Sequence, residues 1–480
     1  MPAEPHFSLL PLLPETVLLA GLLALFALTL PKGRERLSLA VSGATALLFV
    51  AAVLLTFGGG GIFFGGAYRV DGFSQAIKLV LGLGYAGCLV IGRGLPDIRK
   101  EVRPEYFFLL AASVTGLVFL SGSIDLIVLV VALELSSFPL FLLIAMRREE
   151  NGQRMQMEAA IKYMMFGVGA SGLMLFGMGY LFGLTGTTSI PEMAQRLGPV
   201  AANPLAMAGL LLSVAAFLYK LAIFPFHFWT PDVYEGASHE TAAVIASLPK
   251  VAALALLLRF LGLADGAGAA VVGAVAVASM FYGNLIALRQ SDFKRLLGFS
   301  AIAHGGYTLV GVAALGVDGY AAALYYLSGY VFSVLACFLV IARISPDGSN
   351  VRIADLAGLH RRSPLLALTL LVAVFSLAGI PPMVGFMGKF ALMIAAWESG
   401  LGWLVLVALA NTVIAAYYYL GLVKTAFFGT GSDPVTGQAA LQPDPGTRIA
   451  CVLLMAALLF LGLFPSAWID TLRAACASLP

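Results

Sequence analysis

Charge is what this chain has least of. Only 11% of its 480 residues are Asp, Glu, Lys or Arg, too few to coat a soluble globule of that length, and this excludes a set of soluble domains, a disordered protein and a nucleic-acid binder. Cysteine is also sparse. Cys88, Cys337, Cys451 and Cys476 stand far apart with no CxxC spacing, so they read as core packing and not as a disulfide framework, a zinc site or an iron–sulfur site. There is no Walker loop, no histidine pair at haem-ligand spacing and no defensible Ser/His/Asp arrangement. Gly82-Leu-Gly-Tyr-Ala-Gly87 matches a dinucleotide fingerprint, but it lies inside an apolar run with no strand before it, where glycines serve close helix packing. Met1 to Leu10 lacks the basic segment and small-residue cleavage site of a signal peptide, so the first apolar stretch is expected to be retained.

What is abundant is hydrophobicity, at 60% of residues and a mean hydropathy of +0.95. Fourteen apolar stretches near twenty residues follow one another. Backbone polar groups in a bilayer must be satisfied within the segment, so these are helices and the fold is an all-α polytopic membrane protein. Most Lys and Arg fall in loops after odd-numbered spans, among them Arg34, Arg99, Arg147, Arg295, Arg352 and Arg362, whereas the other side carries only Arg69, Arg196, Arg259 and Arg473. Odd loops are therefore expected to be cytoplasmic, with both termini outside. The loop after span seven is the exception, offering Asp232 and Glu235 and no base; Gly429 to Thr447 is the least hydrophobic stretch.

Five lysines remain inside spans: Lys78, Lys162, Lys220, Lys250 and Lys389. A mid-membrane lysine costs roughly 2.5–3.5 kcal/mol on insertion scales, so each is expected to pair, to face water or to lose its proton. Lys78 and Lys162 lie near span ends, where snorkelling to headgroups competes with function; Lys220 and Lys250 are central. Glu134, nine residues after Asp125, sits roughly 14 Å deep at 1.5 Å per residue. Lys220 is its natural partner, either as a charge switch or as a static ion pair between spans five and seven. Pro225 frees the carbonyl of Leu221, and Pro381 with Pro382 frees those of Leu377 and Ala378. Unwound backbone at this depth points to polar cavities at Lys220 and Lys389, although a plain kink has the same signature. Leu221-Ala-Ile-Phe-Pro225 and Leu377-Ala-Gly-Ile-Pro381 repeat each other five spans apart. That odd separation inverts the second copy, as in transporters built from inverted repeats. The division that follows is an N-terminal three-helix segment (1–104), a first five-helix repeat (105–265), an inverted second repeat (266–430), and a loop with a C-terminal helix (431–480). His227 and His304 extend the polar series, each able to relay protons or to sit hydrogen-bonded in the core. His6 and His360 carry no assigned role, and His239 lies near the start of span eight.

These residues carry a resemblance that covers the whole chain. Lys220-Leu-Ala-Ile-Phe-Pro-Phe-His-Phe-Trp-Thr-Pro-Asp-Val-Tyr-Glu-Gly-Ala237, Ser247-Leu-Pro-Lys250, Leu296 through His304-Gly-Gly-Tyr307, and Gly379-Ile-Pro-Pro-Met-Val-Gly-Phe-Met-Gly-Lys389 resemble subunit N of proton-pumping NADH:quinone oxidoreductase. The related subunits L and M and multisubunit sodium/proton antiporters share the first break. The resemblance implies that Glu134 and Lys220 are the charge pair of one half-channel, that Lys250 is the central protonatable group and that Lys389 gates the far half. It also implies that Lys162 serves proton uptake and that His227 and His304 line a hydrated axis. No cofactor is implied in this chain, whereas NADH, FMN, iron–sulfur clusters and quinone are implied for the complex. The implied partners are other membrane-arm subunits, including a homologous antiporter-like one, within a bacterial inner membrane. A cation/proton antiporter subunit and an assembly scaffold are the rival functions. One departure stands out: Ser238-His-Glu-Thr241 replaces an expected Pro-Thr-Pro-Val stretch. For the topology, a reporter fused after Arg362 is expected to read cytoplasmic and one at Pro480 outside; the reverse at both sites would remove the fourteen-span arrangement.

Overall fold

The computed structural model describes residues 9–148, 154–198, 203–261, 263, 268–429 and 441–479. His6, Pro480 and residues 430–440 of the polar loop lie outside the described residues. Thirteen described helices are long and apolar enough to cross a bilayer. Span twelve completes the expected fourteen in two halves, Pro364–Ala378 and Val384–Glu398. Several spans start at a side-chain cap that satisfies first-turn amides. Asp71 accepts from Ser74 N at 2.7 Å before Gly72–Ile91, Asp125 from Ile127 N at 2.8 Å before Leu126–Ala145, and Asp292 from Arg295 N at 2.8 Å before Phe293–Ala313.

Spans eight (His239–Leu261) and ten (Phe293–Ala313) are buried almost all round and form the middle of the bundle. Apart from Lys250, Phe299, His304 and Tyr307, their residues between the ends are mostly small or aliphatic, which lets neighbours approach on every face. Gly82 and Gly84 show the same economy: a Cβ there would collide with Val50 and Phe49, or with Leu248, so this stretch is a packing surface as expected. All four cysteines are buried and unpaired.

Two features were not anticipated. The loop after span two folds into a small antiparallel hairpin, Gly61–Phe63 with Tyr68–Val70, at the edge of the helical fold. The last span is divided at Pro465 into Pro445–Leu463 and Pro465–Cys476, with Gly462 packed against Pro382 and Met383 at the break in span twelve. A third proline interruption therefore stands beside the second.

For Lys78 the structure decides between the snorkelling and the paired alternatives that the sequence leaves open. Its side chain does not snorkel; it is fully buried, with Nζ 2.5 Å from Glu15 of the first span, and Tyr68 OH donates to the same carboxylate oxygen at 2.6 Å. Nearby, Arg259 closes span eight by pairing with Asp71 at 2.9 and 3.0 Å and donating to Ser121 O at 3.1 Å.

On the opposite face, one buried guanidinium joins the basic loops. Arg147 donates to Asp97 Oδ2 at 2.9 Å, to the carbonyls of Glu235 and Gly236 at 3.1 Å, and to Gly348 O and Asn350 Oδ1 at 3.0 Å. Loops after spans three, five, seven and eleven thus meet on one side. The second half of span seven ends at this arginine, and the first half of span twelve begins in the loop it holds, so the two broken spans run in opposite directions. Replacing Arg147 with Met removes its hydrogen bonds to the buried Asp97 carboxylate and to several carbonyls. The expected loss is about 3–5 kcal/mol, read as a lower melting temperature of the purified protein in detergent; an unchanged melting temperature would remove Arg147 from this role.

Candidate functional site

In span seven the first half-helix (Pro204–Leu221) ends where Ala222 turns left-handed at φ 60°, and Ile223 N bonds back to Leu218 O at 3.0 Å. Span twelve repeats the construction: Gly379 is at φ 84°, and Ile380 N bonds to Phe375 O at 2.9 Å. Both are helix ends closed by a left-handed residue and a six-to-one hydrogen bond. The equivalent residues are therefore Ala222 and Gly379, one position away from the match of Ala222 with Ala378 that the bare sequence repeat suggests. A glycine suits this conformation and an alanine does not, and at Gly379 a Cβ would also press on the Lys389 side chain.

In both copies the residue just before the left-handed turn has a carbonyl without its helical partner, and in both copies a buried lysine supplies the bond. Lys250 Nζ donates to Leu221 O at 2.8 Å and to Ala301 O at 3.4 Å. Lys389 Nζ donates to Ala378 O at 3.0 Å. The sequence named both carbonyls as freed; it placed the first beside Lys220, and the structure gives it to Lys250.

Lys220 itself points elsewhere. Its Nζ is held by Ser136 Oγ at 2.9 Å and Ser137 Oγ at 2.8 Å, whose own hydroxyls donate to Leu133 O. Among the described residues no carboxylate lies within ion-pair distance of Lys220, so the expected direct contact with Glu134 is not made, although the two charges interact through space. Helical geometry explains this. Glu134 shares a face with Val131 and Phe138, both more than half exposed, whereas the serines turn inward.

Between the two carbonyl-bound lysines lies a polar aromatic line. His304 Nδ1 contacts Tyr326 OH at 2.5 Å, and Nε2 contacts Tyr419 OH at 3.0 Å, which in turn meets Ser300 Oγ. Lys250 Nζ is 5.8 Å from the centre of the Tyr330 ring, which lies 5.0 Å from the His304 ring. Lys389 Nζ is 4.5 Å from the Tyr307 ring, and Tyr307 OH reaches Thr412 at 3.1 Å. Sequence reasoning named His304 and passed over Tyr326, Tyr330, Tyr419, Ser136 and Ser137. The signal was present in Tyr326 and Tyr330, which are four apart on one face of an otherwise apolar span.

His227 does not join this line. It is buried against Phe224, Phe228 and Tyr282, with ring centres 4.1–5.4 Å away, and among the described residues neither ring nitrogen has a hydrogen-bond partner. Lys162 lies at the mouth on the basic-loop side, 2.6 Å from both Glu158 and Asp232. Asp232 and Glu235 are also bound by Arg295, at 2.7 and 2.8 Å. The loop without a base thus borrows its bases from spans six and ten. Among the described residues no group of three His, Cys, Asp or Glu could hold a metal ion.

The comparison with known proteins rests on the same residues. A family model described as NADH:quinone oxidoreductase/Mrp antiporter, TM, matches residues 123–415, which contain both breaks and every lysine discussed except Lys78. NADH-quinone oxidoreductase subunit N 2 of Opitutus terrae is 53% identical over 475 residues, covering 98% of each chain. This chain belongs to the subunit N family. Another member, subunit N 2 of Syntrophobacter fumaroxidans, is 41% identical over 95% of this chain and 96% of its own. Respiratory complex I from Thermus thermophilus contains a chain of the same fold, with TM-score 0.82 and 32% identity over 96% of this chain and 99% of that one. A chain of the Mrp complex from Dietzia shares the fold at TM-score 0.86 and 24% identity, covering 98% and 97%.

For this subunit N chain, double-mutant cycles separate contact from distant charge. Lys220 with Ser137 is expected to show a coupling energy within about 0.5–3 kcal/mol in pumping-linked turnover, larger than Lys220 with Glu134. Equal coupling for the two pairs would contradict the geometry.

Proposed function

We propose that the chain is a proton-translocating membrane-arm subunit of NADH:quinone oxidoreductase. It moves protons through a mid-membrane chain of Glu, Lys and His while NADH oxidation and quinone reduction take place elsewhere in the complex. The observation that carries this is the pair of buried lysines bound to the two freed carbonyls, Lys250 on Leu221 O and Lys389 on Ala378 O, with His304 and its tyrosines between them. A lysine in that position can change charge without abandoning its partner: the neutral amine still has N–H groups to offer the carbonyl, so loss of a proton does not orphan the backbone.

In this proposal Lys250 is the central carrier. Glu134 and Lys220 are the charged pair of the first half, coupled through space and not by contact, and Lys389 controls the far half. Lys162, on the basic-loop side with Asp232, serves proton uptake; His227 is proposed to act only if its aromatic pocket admits water. The two halves, 105–265 and 266–430, act as inverted repeats around the central spans. The chain sits in a bacterial inner membrane with the basic loops on the cytoplasmic side and its termini outside. Its neighbours are other membrane-arm subunits, one of them a homologous antiporter-like chain, and the redox groups belong to other parts of the complex.

A substitution at Lys250 tests this directly. Arginine keeps a positive charge but does not release its proton, so Lys250→Arg is expected to impair proton translocation by the reconstituted complex nearly as badly as Lys250→Met. Full activity with arginine would make the residue a fixed charge. Robust pumping after loss of both Lys220 and Lys250 would make the chain a scaffold.

A further inference from the structure

The stretch Ser238 to Thr241 begins span eight, the helix that carries Lys250. Ser238 plays an evident structural part, because its Oγ accepts from Thr241 N at 3.2 Å and caps the helix. His239 and Glu240 then occupy the first helical turn, only 1% and 2% exposed. Among the described residues each keeps one polar atom without a hydrogen-bond partner, His239 Nδ1 and Glu240 Oε2. Burying such groups is costly unless they are satisfied, and packing alone does not require a histidine and a glutamate here.

Ionic groups stand close to both. Lys294 of span ten is fully buried, donates to Ala237 O at 2.7 Å, and stands within electrostatic reach of Asp97, Arg147, Glu240 and Asp292. His239 faces Lys294 and Arg147, and Glu240 faces Lys294, Asp97 and, from span four, Tyr106. Three carboxylates, Asp97, Glu240 and Asp292, thus meet two bases, Arg147 and Lys294, with His239 beside them. Within these five described groups three acids face two bases, so one bound proton balances them; Glu235, which also acts on Asp292, is itself paired with Arg295. His239 Nε2 contacts Ser349 O at 3.1 Å; a carbonyl can only accept, so Nε2 carries the hydrogen, and Nδ1 is the open acceptor. Arg147 also lines an open cleft of about 460 Å³ with Arg99, Arg148 and Gln156, which brings the basic-loop surface to the cluster.

We propose that His239, Glu240 and Lys294 form a proton-loading site on the basic-loop side, which stores one proton for delivery to Lys250. The proposal rests on the proton-translocation function above. Glu240 precedes Lys250 by ten residues, about 15 Å along the helix. Delivery therefore needs intermediates, and Tyr234 and Tyr330 are assigned to that path. Their buried hydroxyls face each other without a hydrogen bond of good geometry, and the Tyr330 ring adjoins Lys250. In the step itself the proton held by the Glu240 carboxyl or the His239 imidazolium leaves through these hydroxyls and intervening water. The neutral Lys250 amine becomes an ammonium, and the site takes a replacement proton from the basic-loop side. The Lys294 ammonium offsets the carboxylate left behind.

The test uses the whole complex in proteoliposomes, with Lys250→Met as reference. Glu240→Gln is expected to lose most of its proton translocation, and the remaining rate should fall more steeply as pH rises, since Lys250 must then draw on a dilute bulk supply. Glu240→Asp, which keeps a titrating group, should retain pumping, and His239→Gln should shift the pH profile toward acid. If Glu240→Gln and His239→Gln both pump like the parent at every pH while Lys250→Met does not, the loading site is overturned and the pump stands; if Lys250→Met pumps normally, both fall. A measurement independent of assembly uses the unmodified complex and a hydrophobic carbodiimide, which adds to a protonated carboxyl. An adduct mapped to Glu240, formed faster at lower pH with matching loss of pumping, supports the site; an inhibited complex with Glu240 unmodified overturns it.

Discussion

A backbone carbonyl without a partner at mid-membrane costs several kcal/mol, and a lysine ammonium in the same place costs roughly 2.5–3.5 kcal/mol on insertion scales. Here each cost is met by the other. Leu221 O and Ala378 O are left open where spans seven and twelve stop short, and Lys250 and Lys389 close on them at 2.8 and 3.0 Å. Much of the central architecture follows from that exchange. The breaks must lie against spans able to deliver a lysine, those spans must be buried, and the residues between the two lysines must be polar yet dry enough to keep the charges costly. His304, Tyr326 and Tyr419 meet the last condition through hydrogen bonds to one another.

The ends of the helices are built differently from the middle. Arg147 with Asp97, Arg259 with Asp71 and Lys78 with Glu15 are close ion pairs, each fixed by two or more partners and tying loops or spans together. Near mid-membrane Lys220, Lys250 and Lys389 rest on hydroxyls or carbonyls, without a carboxylate at contact distance among the described residues. A neutral partner holds a lysine in place without fixing its charge, whereas an ion pair locks it. The division suits a rigid frame around lysines proposed to exchange protons.

The sequence made a good deal of this legible, and the limits have physical causes. Helix number followed from composition because each crossing needs about twenty apolar residues, and both freed carbonyls followed from proline chemistry. Which lysine reached Leu221 did not, because that depends on how span eight packs against span seven. The true repeat register escaped by one residue because Ala222 hides a left-handed conformation that Gly379 advertises. The Glu134–Lys220 contact was over-read for a related reason: in a helix apolar on all sides, periodicity gives no sign of which face turns inward, so Ser136 and Ser137 were passed over. For Lys78 the sequence left snorkelling and pairing open, because its partner, Glu15, lies in another span far away in sequence.

The lysine on each freed carbonyl is proposed to take part in proton movement and not merely to prop the break, and Lys389 offers the sharpest check. It lies seven residues beyond the double proline, and against 100 mV the passage of one charge costs about 2.3 kcal/mol, equal to about 1.7 pKa units, a change that a neighbouring charge can supply. The measurement is proton translocation per quinone reduced in proteoliposomes holding the complex with Lys389→Ala, after its assembly has been checked by subunit content. The expectation is an assembled complex in which translocation and coupled quinone reduction both fall sharply. An assembled complex that pumps like the parent would contradict it.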